Sequence, residues 1–271
     1  MSNASDRAGR SYWDRVWTEH GDAQLPDPRT LTHVERSFAA LFETVLCDLP
    51  PSASFLEIGC ANSIWLPHFA RRFGFRITGL DYSEIGCAQT RAAYEAAGLD
   101  AEIVCADAFS PPGQLLESFD VVFTLGVVEH FDDTVGALDA FARFLRPGGL
   151  LLTVIPNLRG ANGLVQRIVN PRVLRMHVPL TARQFRAAHV RAELTDVRVR
   201  YLVPSNFGVL NLNELDPAAL STRVKEVIVR NLGRASRLIW TLDRVVSLPA
   251  TRAFAGYLVA VATKRSSSHP D

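Results

Sequence analysis

Three acidic residues recur at matched places in the first half of the chain, each where an apolar run meets small residues. Glu57 lies in Phe55-Leu56-Glu57-Ile58-Gly59-Cys60-Ala61-Asn62-Ser63, Asp81 in Gly79-Leu80-Asp81-Tyr82-Ser83, and Asp107 in Cys105-Ala106-Asp107-Ala108-Phe109. At the ends of parallel strands such carboxylates line one sheet edge, where the ligand crevice of an open α/β sheet forms. A carboxylate after the second strand, about 20 residues past a small-residue turn, suits the two hydroxyls of a ribose. Another acid can accept from the exocyclic amine of a base, with Tyr82 as a flat wall. Small residues in the turn let the backbone approach a ligand closely. Any one acid could be a helix cap; three at equivalent points argue for a shared ligand. His130, just past a fourth apolar run, and His177, in a basic stretch, can exchange a proton near neutral pH. Each also has a plainer reading: a loop-orienting pair with Glu129, and a surface histidine.

The elements that would position these side chains follow from the pattern between them. Phe55–Ile58, Arg76–Leu80, Ala101–Cys105 and Asp120–Leu125 read as strands, with helices over Trp65–Phe73 and over Ser83–Ala97, the latter closed by Gly98. A helix from about Asp133 to Leu145 and a Pro147-Gly148-Gly149 turn lead into a strand at Leu150–Ile155. This alternation predicts a parallel sheet with helices on both faces. Upstream, Thr30 reads as the cap of an amphipathic helix over 30–48, with Val34, Phe38, Leu41, Phe42 and Val45 on its apolar side. Residues 6–29 hold Tyr12, Trp13 and Trp17; the tryptophans share one helix face, as a pinned helix or as a lid over a ligand.

After Pro156-Asn157 the rhythm changes. A basic segment over 158–176 contains Gly160, Gly163 and Pro171, and a helix over Thr181–Val190 is capped by Thr181. A strand follows at Asp196–Val203, and a last one at Phe254–Thr263. Between them, Pro217–Ser247 shows a long helical pattern with Leu220, Val224, Val227, Ile228, Leu238, Ile239, Leu242, Val245 and Val246 on one side and Gly233 as a dividing point. That stripe reads as a helix covering a core face in preference to a membrane anchor.

Composition sets the bounds. The chain has 271 residues, 48% of them hydrophobic, enough for one large domain or a domain with a sub-domain. No apolar run reaches the roughly 18 residues of a membrane span, and no signal-peptide pattern opens the sequence. Cys47, Cys60, Cys87 and Cys105 form no CxxC pair, so neither a disulfide framework nor a zinc site is expected, and the cytoplasm is the expected compartment. The net charge of +1 is unevenly spread: residues 1–156 hold 11 basic and 21 acidic side chains, residues 157–250 hold 15 and 6. The basic half therefore faces something acidic, pairs with the other half, or is simply solvated. Nucleic acid is not expected, since basic and aromatic residues do not interleave.

Taken together, and in this order and spacing, Leu56–Ser63, Gly79–Ser83 and Ala106–Ala108, Phe119-Asp120-Val121-Val122 through Val127-Val128-Glu129-His130-Phe131, and Leu145-Arg146-Pro147-Gly148-Gly149 resemble the class I S-adenosylmethionine (SAM)-dependent methyltransferases. The resemblance covers roughly residues 52–157. It implies a Rossmann-like α/β fold: a mostly parallel seven-stranded sheet with helices on both faces, an antiparallel strand near Phe254–Thr263, and a helical cap from 158–180 and 204–250. It divides the chain into an N-terminal lid and helix (1–48), a SAM-binding core (49–157), the end of the core with cap insertions (158–263) and a disordered tail (264–271).

The resemblance also assigns roles. Glu57, Gly59, Cys60 and Ala61 would lie at the methionine part of SAM, Asp81 at the ribose and Tyr82 beside the adenine. Asp107 and the Ala108 backbone would read the adenine amino group, Leu125 and Gly126 would meet the methionine ammonium, and Tyr12 and Trp13 would cover the cofactor. The sequence departs from the family at Ala61 and Ser63, where the usual turn has glycine; a shifted loop with retained binding is expected. A dinucleotide site fits worse, since Gly59-Cys60-Ala61-Asn62-Ser63-Ile64 supplies only the first glycine of G-x-G-x-x-G.

The implied reaction is methyl transfer to a small molecule at oxygen, with His130 as base, Glu129 beside it and His177 as a second candidate at the acceptor; no metal is called for. Transfer to nitrogen or carbon, and a SAM-binding protein without turnover, stay open. The basic segments point to an acceptor with a carboxylate or phosphate, or to peripheral contact with an anionic membrane, which is not favoured.

Overall fold

The computed structural model describes residues 6–21, 25, 30–216 and 218–266. Its centre is a seven-stranded sheet in the order β3-β2-β1-β4-β5-β7-β6. The strands are β1 (Ser54–Ile58), β2 (Arg76–Asp81), β3 (Ala101–Cys105), β4 (Phe119–Leu125), β5 (Leu145–Pro156), β6 (Leu194–Leu202) and β7 (Tyr257–Lys264). The first five pair in parallel, and β7 runs antiparallel between β5 and β6. The strand order reverses between β1 and β4, so their carboxyl ends diverge and open a crevice.

Helices α2 (His33–Leu46), α3 (Trp65–Phe73) and α4 (Glu84–Ala96) cover one face, and α5 (Thr134–Ala142) and α8 (Ala182–Arg191) the other. Strands buried on both faces read as continuous apolar runs, as Phe55–Ile58 and Val121–Leu125 do. An aromatic cluster fills the α2–α3 side: the Phe55 and Phe69 rings stack at 4.0 Å, and Phe42 meets Phe69 at 4.7 Å. The cap of α2 is Thr32, not the expected Thr30. Its hydroxyl accepts from Glu35 N while Glu35 reaches back to Thr32 N, a reciprocal box that outcompetes the earlier threonine. The helix buries Phe38, Leu41, Phe42 and Leu46.

Three other readings shift, at the end of α5, at the Pro147-Gly148-Gly149 turn and at the start of the last strand. α5 ends at Ala142, and Leu145 already pairs with Phe119 in the sheet. The Pro147-Gly148-Gly149 turn is therefore a bulge inside β5, where the register jumps before Leu150 meets Val121. The basic stretch after β5 contains α6 (Ala161–Val169) and α7 (Pro171–Arg175). Pro171 takes the first helical position, where proline is welcome. Gly163 lets α6 approach the strand end, for a Cβ there would stand 1.9 Å from the Leu158 carbonyl oxygen. The last strand begins at Tyr257, leaving Phe254 exposed in the preceding turn.

The long pattern forms one unbroken helix, α9 (Leu220–Asp243), which Gly233 does not divide. Its apolar stripe faces outward instead of covering a core. Among the described residues no helix is long and apolar enough to cross a membrane. Pro217 and most of the expected disordered tail, 267–271, lie outside the described residues.

Candidate functional site

The crevice beyond β1 and β4 is a cavity of about 560 Å³ with a mainly apolar wall. Its floor is the turn after β1. Gly59 adopts φ +80°, and a Cβ there would come within 2.5 Å of Val127 Cγ2. Only glycine meets both demands. The turn is tied to its neighbours through backbone groups: Gly59 N donates to Leu80 O (2.8 Å), Ala61 N to Asp81 Oδ2 (3.1 Å) and Asn62 N to Thr90 Oγ1 (2.9 Å). Asn62 takes a positive φ of 54°, which asparagine tolerates better than most residues.

The two departures from a glycine-rich turn are accommodated. The Ala61 Cβ lies against α4 at Gly86, where a Cβ would approach it to 2.5 Å. The Ser63 hydroxyl donates to Glu57 Oε2 (2.5 Å) and accepts from Trp65 N (3.0 Å), so it joins the buried acid to the start of α3. Burial pushes the Glu57 carboxyl up to about 8, with the Asp81 charge adding to the rise and the Ser63 hydrogen bond opposing it.

Asp81 and Asp107 both line the cavity. Asp81 is buried, and its two oxygens accept from Ala61 N and from Ser83 N (2.8 Å). Each carboxylate oxygen has a second lone pair, so the residue organises the turn and can still receive ligand hydroxyls. Burial raises its pKa, against the pull of these N–H groups. Asp107 is exposed and its Oδ1 accepts from Phe109 N (2.9 Å). Phe109 meets Phe131 edge-on at 5.0 Å, giving a flat apolar wall of the kind a base packs against.

The segment expected either as a pinned helix or as a lid forms α1 (Arg10–His20), with a strap before it. Trp13 and Trp17 stack at 5.7 Å and both line the cavity. Polar contacts hold the strap. Tyr82 Oη donates to Asp6 Oδ2 (2.8 Å), Ser83 Oγ to Asp14 Oδ1 (2.5 Å) and Gln89 Nε2 to Trp17 O (3.0 Å). Arg7 reaches Asp132 Oδ1 (2.8 Å) and His177 O (2.8 Å). Gly86 matters here too, since a Cβ would sit 3.0 Å from Trp17 Cδ1.

At the acceptor end His130 lines the cavity, buried, with its ring edge-on to Trp13 at 5.4 Å. Its Nδ1 lies 2.8 Å from Met176 O. A carbonyl only accepts, so Nδ1 carries the hydrogen and, in the neutral ring, Nε2 keeps the lone pair. Burial lowers the His130 pKa, partly offset by that hydrogen bond. The His177 ring lies 4.5 Å away, its Nδ1 bonded to Val173 O (2.7 Å). Burial first, then the neighbouring His130, lower it to about 4. Glu129 is buried, pushed up to about 8 by burial, and its Oε2 has no hydrogen-bond partner among the described residues. Ligand atoms of Glu129, His130 and His177 lie within 4.8 Å of one another. Two imidazoles and a carboxylate can take a divalent ion. No metal was expected from the sequence, because His177 lies 47 positions beyond His130 and only the fold brings them together.

Of the expected site residues, Trp13, Glu57, Gly59, Ala61, Asp81, Tyr82, Asp107, Ala108, Leu125, Gly126 and His130 line the cavity. Four do not. Tyr12 is buried on the other side of α1, where Asn211 Nδ2 donates to its hydroxyl (3.5 Å). Cys60 turns its Sγ toward β2, where a Gly79 Cβ would be 2.6 Å away. Glu129 and His177 sit behind His130. Asp6, Trp17, Ser63 and Phe131 are additions to the lining. The four-residue step from Trp13 to Trp17 could have flagged Trp17; nothing local flags Asp6.

The fit to the cofactor implied by the fold rests on this donor set: carboxylates at three strand ends, a backbone turn open to a ligand, and aromatic walls. Comparison with known proteins agrees. A family profile described as a methyltransferase domain matches residues 56–153. The chain is 38% identical over 104 residues to a ubiquinone biosynthesis O-methyltransferase of Sinorhizobium fredii, covering 38% of this chain and 40% of that protein. It thus spans about two fifths of the length of the first relatives it matches. A protein of the same description from Parvibaculum lavamentivorans is 35% identical over 176 residues, covering 58% of this chain and 68% of the relative. In three dimensions the chain resembles a Haemonchus contortus phosphoethanolamine N-methyltransferase 2 solved with SAM (TM-score 0.61, 18% identity, 98% of this chain and 60% of that one). It also resembles a putative sarcosine dimethylglycine methyltransferase from Galdieria sulphuraria (TM-score 0.58, 16% identity, 93% and 98%). At such identities these structures speak for the fold alone. With the sheet order, the strand-end acids and the sequence relatives in agreement, the chain belongs to the class I SAM-dependent methyltransferase family.

Proposed function

We propose that the chain moves a methyl group from SAM to an oxygen of a small-molecule acceptor, with His130 removing the acceptor's proton. The observation that carries this reading is the His130 ring: anchored through Nδ1 to Met176 O, held neutral by burial, and on the wall of the cavity. SAM supplies an electrophilic methyl on a sulfonium. Asp81 would hold the ribose hydroxyls, Asp107 the base amine, and the backbone at Gly59 and Gly126 the amino-acid end. Trp13 and Trp17 would exclude water, and a fixed acceptor would gain from proximity alone. The name of the sequence relatives, ubiquinone biosynthesis O-methyltransferase, supports oxygen over nitrogen or carbon. Among the described residues lining the cavity none is Lys or Arg, which favours a neutral acceptor end over the anionic one that the charge distribution suggested.

Turnover with a panel of phenolic acceptors, read as S-adenosylhomocysteine, tests the proposal. His130→Ala is expected to lose roughly a hundredfold or more in kcat, with SAM affinity by calorimetry unchanged. An unaltered pH–rate profile would remove His130 as the base, and tight SAM binding without any turnover would favour a binding protein.

A second reading rests on the orphaned Glu129 Oε2 beside the two imidazoles. In it Glu129, His130 and His177 hold a divalent cation, which would supply Lewis acidity at the acceptor. Loss of turnover in EDTA, restored by added metal, would favour it; full turnover in EDTA would leave His130 as base.

A further inference from the structure

Helix α9 is turned against the usual rule of burial. Its inner side is tethered by polar groups. Buried Ser236 Oγ lies 3.2 Å from Ser205 Oγ and accepts from Phe207 N (3.1 Å), and Trp240 Nε1 donates to Ser205 O (2.5 Å). The Trp240 ring stacks on His33 of α2 at 5.5 Å, and Asp243 lies 3.2 Å from His33 Nε2. These contacts fix the helix rotation. The opposite side carries Leu220, Val224, Val227, Leu238 and Leu242, steps that fall on one helical face, each between 50% and 77% exposed. Val245 and Val246 extend the exposed apolar surface past the helix end.

One border of that stripe is cationic. Arg223, Arg230 and Arg237 recur at seven-residue steps and are all exposed, with exposed Arg234 nearer the stripe. Glu226 is the one acid between Leu220 and Trp240. This is the composition of a helix that lies in a bilayer interface: apolar side in the acyl boundary, arginines at the lipid phosphates. A second copy of the chain fits worse. Its arginine row would meet the first across a two-fold axis, and Asn231 and Arg234 would interrupt a dry seam.

We propose that α9 docks the protein on an anionic lipid surface, with its outward stripe in the interface and its arginine row against the headgroups. The helix lies outside the region matched by the methyltransferase-domain profile, residues 56–153. The test needs no knowledge of the acceptor, because attachment is read without turnover.

Vesicle flotation of the full chain tests it. Binding is expected to phosphatidylglycerol-containing vesicles, weakened by salt, with little to phosphatidylcholine alone. Val224→Glu with Leu238→Glu, two outward side chains, should reduce binding at least tenfold while helicity, thermal midpoint and SAM affinity stay at wild-type values. Arg223→Ser with Arg230→Ser and Arg237→Ser should weaken attachment to the anionic vesicles by roughly a hundredfold, each arginine near such a surface contributing about a factor of five. The proposal is overturned if the wild-type chain floats with neither vesicle, or if the glutamate variant binds as well as wild type. It is equally overturned if light scattering shows a dimer that the glutamate variant dissociates while vesicles bind neither form.

Discussion

Gly86→Ala is the substitution that tests the account of the cofactor turn most directly. On an open helix, glycine to alanine gains about 1 kcal/mol. In the first turn of α4 the new Cβ would stand 2.5 Å from Ala61 Cβ and 3.0 Å from Trp17 Cδ1. Carbon atoms rest at about 3.5–4 Å, so the turn or the lid must move by about an ångström. Overpacking of this kind costs about 1–3 kcal/mol, and the net expectation is a loss of up to about 2 kcal/mol. Ala61→Gly alone should cost about 0.5–1 kcal/mol through the freer unfolded chain. Together, the second change removes the nearer clash, so the double variant should stand about 1–2 kcal/mol above the sum of the singles. Urea unfolding of the four proteins measures this coupling, and repeating it with SAM shows whether the turn's ligand-binding shape is restored. Additivity within about 0.5 kcal/mol would refute the idea that Gly86 makes room for the Ala61 methyl.

Three further outcomes can be checked with the same protein. Glu57 has a folded pKa of about 8 against an ordinary 4.5. Between those values the folded chain keeps a proton that the unfolded chain has released, so stability falls as pH rises through that window and levels off above it. Glu57→Gln lacks this loss and should gain on wild type by a few kcal/mol between about pH 5 and pH 8; a constant difference in urea midpoints would count against a buried neutral acid. Trp13→Ala removes contacts to Trp17 and His130, and calorimetry should show SAM binding weaker by about threefold to tenfold, at about 0.5–1.5 kcal/mol per aromatic contact. Asp81→Ala strands the buried Ala61 and Ser83 N–H groups, so it should both lower stability by about 1–3 kcal/mol and abolish measurable SAM binding; wild-type affinity in that variant would overturn the site assignment.

The sheet was legible because its strands announce themselves. Phe55–Ile58, Ala101–Cys105 and Asp120–Leu125 are apolar runs bounded by turn residues, and the acids at their ends share one edge once the strands are parallel. What the sequence hid depends on partners far along the chain. Tyr12 reads like Trp13, yet consecutive helical residues point about 100° apart, and Tyr12 faces Asn211 instead of the cavity. Gly163 and Pro171 gave no local sign of their roles, a close approach of α6 to Leu158 and the first position of α7. The apolar stripe of α9 has the period of a core helix, and only Ser236 and Trp240, bonded to Ser205, show which side is inward. Hydrophobic periodicity says that a face exists; it does not say what covers it.

In the proposed reaction the N-terminal segment would cover the site, and its contacts would have to release for turnover. Three contacts of the N-terminal segment fall on residues at or beyond the carboxyl end of a strand, Asp6 on Tyr82 after β2, Asp14 on Ser83 and Arg7 on Asp132 past β4, and a fourth, from Gln89 to Trp17 O, falls on α4. Each such side-chain bond contributes about 0.5–1.5 kcal/mol, so the segment is held by several individually weak contacts. The strap also reaches the two histidines: Arg7 N donates to His130 O (2.9 Å) and the Arg7 guanidinium to His177 O. The loop 127–131 and the segment 176–178 are already joined by His130 Nδ1 to Met176 O and by Val178 N to Glu129 O (2.6 Å). The strap is thus the third member of a set that fixes both imidazoles, and in the proposed reaction the same contacts would aim His130 at the acceptor.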